Sequence, residues 1–208
     1  MPSVPLKELV KHDDFDPELV ERIAERKFQP PVAMVEADPS WARHFAEAKA
    51  RIEDALGATA VSVAHVGSTS VPGMPAKAII DVDLTVRDVR DEAAYVGPLE
   101  RSAGFVFLLR EPHWHEHRFF CQGGARGEQF PINLHVWGPG CPEAERHRIF
   151  RDWLTRSPDD FALYARTKRE AAEVAARNGE SVMQYNLRKE RTIRDILDRA
   201  FRDLGYVE

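Results

Sequence analysis

The sequence has few cysteines, no long apolar runs and no excess of positive charge, and each shortage excludes a class of protein. Two cysteines in 208 residues, Cys121 and Cys141, make neither a disulfide framework nor a zinc spacing. No run approaches a transmembrane helix in length, and the acidic, proline-rich start is unlike a signal peptide. The formal net charge of −5 gives no global attraction to nucleic acid. We therefore expect a cytoplasmic protein with no membrane partner.

Three regions follow from length and patterning. Residues 1–31 are predicted to form an N-terminal helical extension, residues 32–140 an α/β core, and residues 141–208 a helical region packed on that core. In the extension, Asp16 and Pro17 have the features of a helix start, and an apolar stripe continues to about Lys27. The roles open to this extension are packing, a dimer contact or a lid.

The most informative stretch is a predicted strand from Ile79 to Val86 that carries two carboxylates. Because side chains alternate along a strand, Asp81 and Asp83 share one face, while the apolar residues between them point to the core. Neighbouring carboxylates repel each other unless a cation lies between them. A hard divalent metal such as Mg²⁺, bound through carboxylates and substrate phosphates, suits this position.

A glycine–serine turn lies before this strand, with Ser68 thirteen positions ahead of Asp81. Gly67 allows the backbone to approach a ligand closely, while Ser68 and Thr69 offer hydroxyls and amides where another predicted strand ends. Gly-Ser followed by Asp-x-Asp, each beside a strand, resembles the signature of the nucleotidyltransferase superfamily, in which the turn contacts the triphosphate and the acids hold the metal. The alternative interpretation is an ordinary turn and a solvated strand face.

Histidines supply further candidates. On the predicted strand from Phe130 to Trp137, Asn133 and His135 share a face, and His135 is a candidate ligand or acid–base group if this strand lies beside the aspartates. Three alternating histidines at 113, 115 and 117 have the residue types of a transition-metal site, although Pro112 argues against one shared strand face.

Several cationic and phenolic side chains are candidates for binding phosphate. Lys77 lies between the turn and the aspartate strand, and Arg118 lies on a predicted strand. Two Tyr-x-x-x-Lys pairs occur on successive predicted helices: Tyr164 with Lys168, and Tyr185 with Lys189. The alternatives are a surface salt bridge for Arg118 and, for each pair, a packed tyrosine beside a lysine whose stem alone is buried.

Segments spread along the chain resemble the GrpB-like family, a branch of the nucleotidyltransferase fold. They are VEADPSW (35–41), HVGSTSVPGMPAKAIIDVDL (65–84), HRFF (117–120), NLHVW (133–137), FRDWL (150–154), YARTK (164–168) and YNLRKERTI (185–193). They follow the family's order, and the longest is the most specific. The resemblance implies an α+β fold: a nucleotidyltransferase-like mixed β-sheet flanked by helices, with a helical C-terminal part closing over a cleft.

The resemblance also implies a chemistry. Gly67 and Ser68 occupy phosphate positions, and Asp81 and Asp83 occupy metal positions, with Mg²⁺ or Mn²⁺ as the ion. The resulting hypothesis is a transfer of a nucleoside monophosphate from a nucleoside triphosphate to an unknown acceptor, with release of pyrophosphate. In it, His135 orients or deprotonates the acceptor, and the cations stabilise the phosphates.

One departure from the superfamily weighs against turnover. Active nucleotidyltransferases commonly bring a third carboxylate from a neighbouring strand, and here that strand carries His135, with Glu116 as an acid elsewhere. Imidazole is a poor ligand for Mg²⁺. A catalytically inactive module that binds a nucleotide or phosphorylated metabolite is therefore the alternative, and a folding aid for a partner protein is a third interpretation.

Overall fold

A six-stranded sheet lies at the centre of the computed structural model, which describes residues 4–14, 16–27, 32–123 and 130–208. The strands are β1 (Glu21–Arg22), β2 (Ala60–Val66), β3 (Ile80–Val86), β4 (Val106–Glu111), β5 (His117–Gln122) and β6 (Ile132–Trp137). Their order across the sheet is β1-β4-β5-β6-β3-β2. Strands β3 and β6 run parallel and the other neighbours antiparallel, so the predicted mixed sheet is confirmed.

Helices flank this sheet and form the C-terminal part, as predicted. They are α1 (Leu6–Leu9), α2 (Ser40–Leu56), α3 (Val96–Arg101), α4 (Pro142–Arg156), α5 (Pro158–Asn178) and α6 (Val182–Asp203). Proline at the first position and acids in the first turn start α5, and a capping box between Ser181 and Gln184 starts α6. No helix in the described ranges is long and apolar enough to cross a membrane.

Burial of one sheet face fixes the direction of the aspartates. The alternate residues of β3, from Ile80 to Val86, are fully buried in a core shared with α2. Burying one aliphatic side chain contributes about 1.5–3 kcal/mol, and a one-residue slip of the strand would expose all of them. Asp81 and Asp83 are thereby held on the opposite face.

The C-terminal helices pack on the loop between β2 and β3. Val71 and Met74 of that loop are buried against Leu154 of α4, Tyr164 of α5 and Ile196 of α6. This apolar contact brings α5 and α6 beside the face that carries the aspartates.

The predicted helix between Asp16 and Lys27 is wrong. Asp16 does cap a turn by accepting a hydrogen bond from the Glu18 amide, but that turn is a single 3-10 turn. The chain then extends as β1 and pairs with the edge of β4, and the amides of Ile23 and Ala24 donate to the Leu108 carbonyl. Hydrogen bonding to the open edge of β4 stabilises the extended chain more than a short helix with a narrow apolar stripe would be stabilised.

Other local predictions are corrected in detail. The sequence of residues 88–103 is typical of one helix ended by Gly104, but the chain there forms a 3-10 turn at Glu92–Ala94 followed by α3. Of the three alternating histidines, His117 is on β5 and the other two lie in the turn before it. The glycine-rich segment 121–129 is typical of a hairpin connection, and its residues 124–129 lie outside the described residues, as do Pro30 and Pro31, which the sequence predicts to end the N-terminal helix.

Candidate functional site

The parallel pairing of β3 with β6 assembles the polar face of the sheet. Asp81 pairs with Asn133 and Asp83 with His135, so the strand that carries His135 does lie beside the aspartates and the four residues share one face. The Asn133 amide donates to Asp81 Oδ1 at 2.7 Å. We call the region bounded by this face, the Gly67–Ser70 turn, α5 and α6 the cleft.

Gly67 makes close contact between the turn and Asp81 possible. Its φ of 67° and ψ of −170° are accessible to glycine but strained for other residues. A Cβ at this position would lie 2.9 Å from Asp81 Cβ and nearer still to its Oδ2. The turn that follows is closed by hydrogen bonds from the Ser70 amide and hydroxyl to the Gly67 carbonyl.

We expect Gly67→Ala to displace Asp81 as well as to strain the backbone. Gly57→Ala is a matched control, because Gly57 has a φ of 51° and a Cβ added there would have no atom within 4 Å. Both substitutions should cost about 1–3 kcal/mol of backbone strain. Gly67→Ala should cost more, and it alone should alter ligand binding in the cleft. Equal melting temperatures and equal binding by the two variants would contradict this role of Gly67.

Asp83 has a different environment from Asp81. It is buried, its Oδ1 accepts from the Trp137 indole at 2.9 Å, and its Oδ2 lies 2.9 Å from His147 Nδ1. Burial raises the pKa of Asp83, but the charge and hydrogen bond of His147 outweigh it and leave the pKa lowered. Likewise, burial lowers the pKa of His147, but Asp83 outweighs it and raises the pKa to about 9. The two side chains form an ion pair.

This arrangement does not fit a Mg²⁺ ion shared by both aspartates. Mg²⁺ requires nearly octahedral oxygen ligands and usually retains several waters. Asp83 has only 3% of its surface exposed, and both its oxygens are already engaged by Trp137 and His147. The imidazolium of His147 supplies the positive charge that the sequence hypothesis assigned to the metal.

Another group of possible metal ligands lies outside the cleft. Within the described part of the chain, Asp13, His115 and Glu143 are the residues whose ligand atoms lie within 4.8 Å of one another. Asp13 is paired with Lys11 at 2.5 Å and Glu143 with Arg146 at 3.0 Å. The carboxylate charges are thus balanced without an ion.

Three lysines converge on the cleft. Lys168 and Lys189 are buried, with 2% and 8% of their surfaces exposed, and Lys77 is partly buried. Lys168 Nζ donates to the Pro75 carbonyl at 2.6 Å. Lys77 Nζ lies 5.0 Å from the centre of the Tyr185 ring, and Lys189 Nζ lies 4.2 Å from it. Lys77 and Lys189 therefore flank one aromatic side chain at the edge of the cleft, whereas Lys168 lies against Tyr164.

The charges of these lysines are poorly compensated. Burial is the main cause that lowers the pKa of each: Lys189 to about 7, Lys168 well below its usual range, and Lys77 in the same direction. Lys77 also lowers the pKa of both other lysines, and Asp81 is the carboxylate that opposes these shifts. Three lysines therefore share one carboxylate as their counter-charge, which is too little to hold their pKa values at the usual level.

Tyr164 connects the lysines to the turn. Its ring centre lies 5.2 Å from Lys168 Nζ, and its hydroxyl interacts with the Ser68 side chain. Thr69 does not join them, because it is buried and its hydroxyl lies 3.0 Å from His65 Nε2. Of the predicted phosphate-binding residues, Gly67, Ser68, Lys77, Tyr164, Lys168 and Lys189 thus lie together.

Arg118 lies on the other side of the sheet, so the prediction that it faces the cleft is wrong. It pairs across the strands with Val136, a core residue, and therefore shares the core face. Its guanidinium donates to Glu92 at 2.6 Å and to the Glu116 carbonyl at 2.8 Å. Arg118 forms a structural ion pair, and Glu116, which also pairs with Arg90, is held there with it.

A line of hydrogen bonds runs from His135 away from the cleft. His135 Nδ1 lies 3.0 Å from His117 Nε2, and His117 Nδ1 lies 2.6 Å from Glu111 Oε2. The His117 ring stacks on Trp137 with centres 4.2 Å apart. Burial lowers the pKa of His117 to about 3 and that of His135 to about 4, so both imidazoles are neutral at pH 7.

Sequence reasoning missed two residues of the site, His147 and Arg26. His147 lies among charged residues of α4 and has no periodic signal that separates it from a solvated face. Arg26 lies in the segment predicted to be helical; it donates to Asn133 Oδ1 at 2.7 Å and lies 5.8 Å from the centre of the Phe119 ring. Only the pairing of β1 with β4 brings Arg26 to this face.

Comparisons with known proteins agree with this architecture. The family described as GrpB protein matches residues 31–199. A UPF0157 protein of Halalkalibacterium halodurans is 42% identical over 169 residues, covering 81% of this chain and 82% of that protein. A UPF0157 protein of Pseudomonas aeruginosa is 36% identical over 170 residues, covering 81% of this chain and 67% of that protein.

A dephospho-CoA kinase and a crystal structure are also similar to this chain. A dephospho-CoA kinase of Mycolicibacterium paratuberculosis is 32% identical over 196 residues, covering 82% of this chain but only 46% of the kinase. The crystal structure of the conserved protein GrpB from Enterococcus faecalis superposes with a TM-score of 0.65 at 23% identity, covering 83% of this chain and 99% of that one. Together with the fold, these matches show that the chain belongs to the GrpB protein family, within the nucleotidyltransferase-like superfamily.

Proposed function

We propose that the cleft binds the phosphates of a nucleoside triphosphate and transfers its nucleoside monophosphate to a hydroxyl-bearing acceptor, releasing pyrophosphate. The observation that carries this proposal is the placement of three buried or partly buried lysines, Lys77, Lys168 and Lys189, beside the carboxylate of Asp81. A folded protein holds buried ammonium groups at a cost in free energy, and a polyanionic ligand removes that cost.

The residues around the lysines suit a phosphate chain. Gly67 and Ser68 stand where β2 ends, so their backbone approaches the same space as the lysines. The ammonium groups stabilise the charge that accumulates on pyrophosphate as it leaves. Because the aspartates do not fit a shared Mg²⁺, the lysines replace the metal in this proposal, and Asp81 serves as their counter-charge.

A second candidate function is binding without turnover, of a nucleotide or another phosphorylated metabolite. The ion pair of Asp83 with His147 favours it, because that carboxylate is withdrawn from any reacting group. A related region makes up about half of a dephospho-CoA kinase. Dephospho-CoA is therefore a suitable test ligand among phosphorylated metabolites.

Calorimetric titration of the four nucleoside triphosphates and dephospho-CoA, with and without Mg²⁺, tests the proposal. We expect a triphosphate to bind without Mg²⁺, and Asp81→Asn to bind it at least as tightly, because the substitution removes a negative charge from an anion site. Binding that requires Mg²⁺ and is lost in Asp81→Asn would contradict the lysine-based site and restore the metal hypothesis. Binding of dephospho-CoA but of no triphosphate would favour the second candidate function.

A further inference from the structure

We propose that Glu111 and His117 orient His135 as the general base and stabilise it when it is protonated. They would thus take the place of the third carboxylate that the cleft lacks. This inference rests on the proposed function for its catalytic part. His135 shares the cleft face with the aspartates, whereas Glu111 lies two hydrogen bonds away, at the end of β4. The carboxylate is therefore present, but it acts through two imidazoles.

The hydrogen-bond directions follow from the donor at each position. A carboxylate can only accept, so His117 Nδ1 carries the proton of the 2.6 Å bond to Glu111 Oε2. His117 Nε2 then has a free electron pair and accepts from His135 Nδ1 across 3.0 Å. His135 Nε2 is left with its own electron pair, which is the form a general base requires. Glu111 thus determines the tautomer of His135.

Packing fixes the positions of the Glu111 and His117 side chains. Only 3% of the His117 side chain and 14% of the Glu111 side chain are exposed. The His117 ring stacks on Trp137, and Trp114 lies against it edge-on with centres 5.0 Å apart. The Trp137 indole is itself fixed by its hydrogen bond to Asp83. The two imidazole rings cannot rotate without breaking these contacts.

The acceptor hydroxyl gives its proton to His135 Nε2 as its oxygen forms a bond to the α-phosphorus. The bond from that phosphorus to the oxygen bridging the α- and β-phosphates breaks, and pyrophosphate leaves with the electron pair. His135 holds the proton as an imidazolium, whose Nδ1–H stays hydrogen-bonded to His117 Nε2 while Glu111 fixes His117 in turn. His135 releases the proton to water as the products leave.

Nitrogen NMR of the imidazoles tests the orienting part directly, whatever the ligand. In the wild-type protein at pH 7, both His117 and His135 are expected to carry hydrogen on Nδ1 and an electron pair on Nε2. Glu111→Gln should no longer fix the tautomers, because its amide can either accept from or donate to His117 Nδ1, so forms of both imidazoles with hydrogen on Nε2 should appear. Glu116→Gln, a neighbouring acid outside the line, is the matched control and should change neither. An Nε2–H on wild-type His135, or unchanged tautomers in Glu111→Gln, would overturn the proposal.

Kinetics test the catalytic part. Glu111→Gln should lower kcat on the order of a hundredfold with KM unchanged, the scale of a positioned acid–base group. Equal kcat in the two proteins would overturn the catalytic role. Expected tautomers in a protein that transfers nothing from any triphosphate would leave the orientation correct and contradict the proposed function instead.

Discussion

Replacing Lys189 by methionine is expected to weaken triphosphate binding by roughly 10- to 150-fold while leaving the ligand-free protein as stable as before or more stable. A charge-assisted hydrogen bond to phosphate contributes about 1.5–3 kcal/mol, which gives that range. The stability part follows from the burial of Lys189 and from its neighbour Lys77, whose positive charge also lowers its pKa. Replacing a buried, poorly compensated charge by an apolar side chain of similar size is commonly neutral or stabilising.

Two other lysines provide comparisons for this prediction. Lys168→Met should weaken binding by a similar factor but also destabilise the protein, because Lys168 donates to the Pro75 carbonyl. Lys49→Met is the control outside the cleft, since Lys49 lies on α2 beside Glu53 with 41% of its side chain exposed. Isothermal titration and thermal unfolding of the three variants provide the readouts. Normal binding by Lys189→Met, or a fall in its stability with binding intact, would show that the lysine has only a structural role.

His135→Gln is expected to lower the rate of nucleotidyl transfer by at least a hundredfold with little change in triphosphate affinity. The substitution retains a polar side chain of similar size on β6 but removes the electron pair at Nε2 that accepts the acceptor's proton. General bases contribute about 10²–10⁴-fold to the reactions they assist. Release of pyrophosphate in the presence of a panel of hydroxyl-bearing acceptors measures the rate.

His113→Gln is the control for this second prediction, because His113 is exposed in the turn before β5. It should transfer at the wild-type rate. A His135→Gln variant that also transfers normally would exclude His135 as the base. A variant that loses triphosphate binding in the same proportion as transfer would assign His135 to ligand binding instead.

The central strand and its partner were predictable because their pattern admits one arrangement. Alternation from Ile79 to Val86 places four apolar side chains on one face, and burial of that face leaves no freedom for Asp81 and Asp83. Alternation likewise puts Asn133 and His135 on one face, and only the pairing of the two strands was left to the structure. The lysines of α5 and α6 were predictable as members of helices but not as neighbours of Asp81.

The remaining features depend on contacts between distant segments. Arg118 lies on a strand whose two faces are both partly apolar, so the sequence did not determine which face it shares. The ion pair of Asp83 with His147 joins residues 64 positions apart, and no local pattern marks it. The extended segment with Arg26 exists because β4 offers a free edge, which depends on how the whole sheet is ordered.

Proton uptake during triphosphate binding tests the central claim, that a polyanion binds to poorly compensated lysines, most directly. The free protein holds the pKa of Lys189 at about 7, so this lysine is largely neutral at pH 8, and bound phosphates should return its pKa toward its usual range. Titrations at pH 8 in two buffers of different ionisation enthalpy should show net proton uptake, which should be smaller in Lys189→Met, and the affinity should fall as pH rises above 7. Binding with no proton uptake, and with equal affinity at pH 6.5 and pH 9, would contradict the claim.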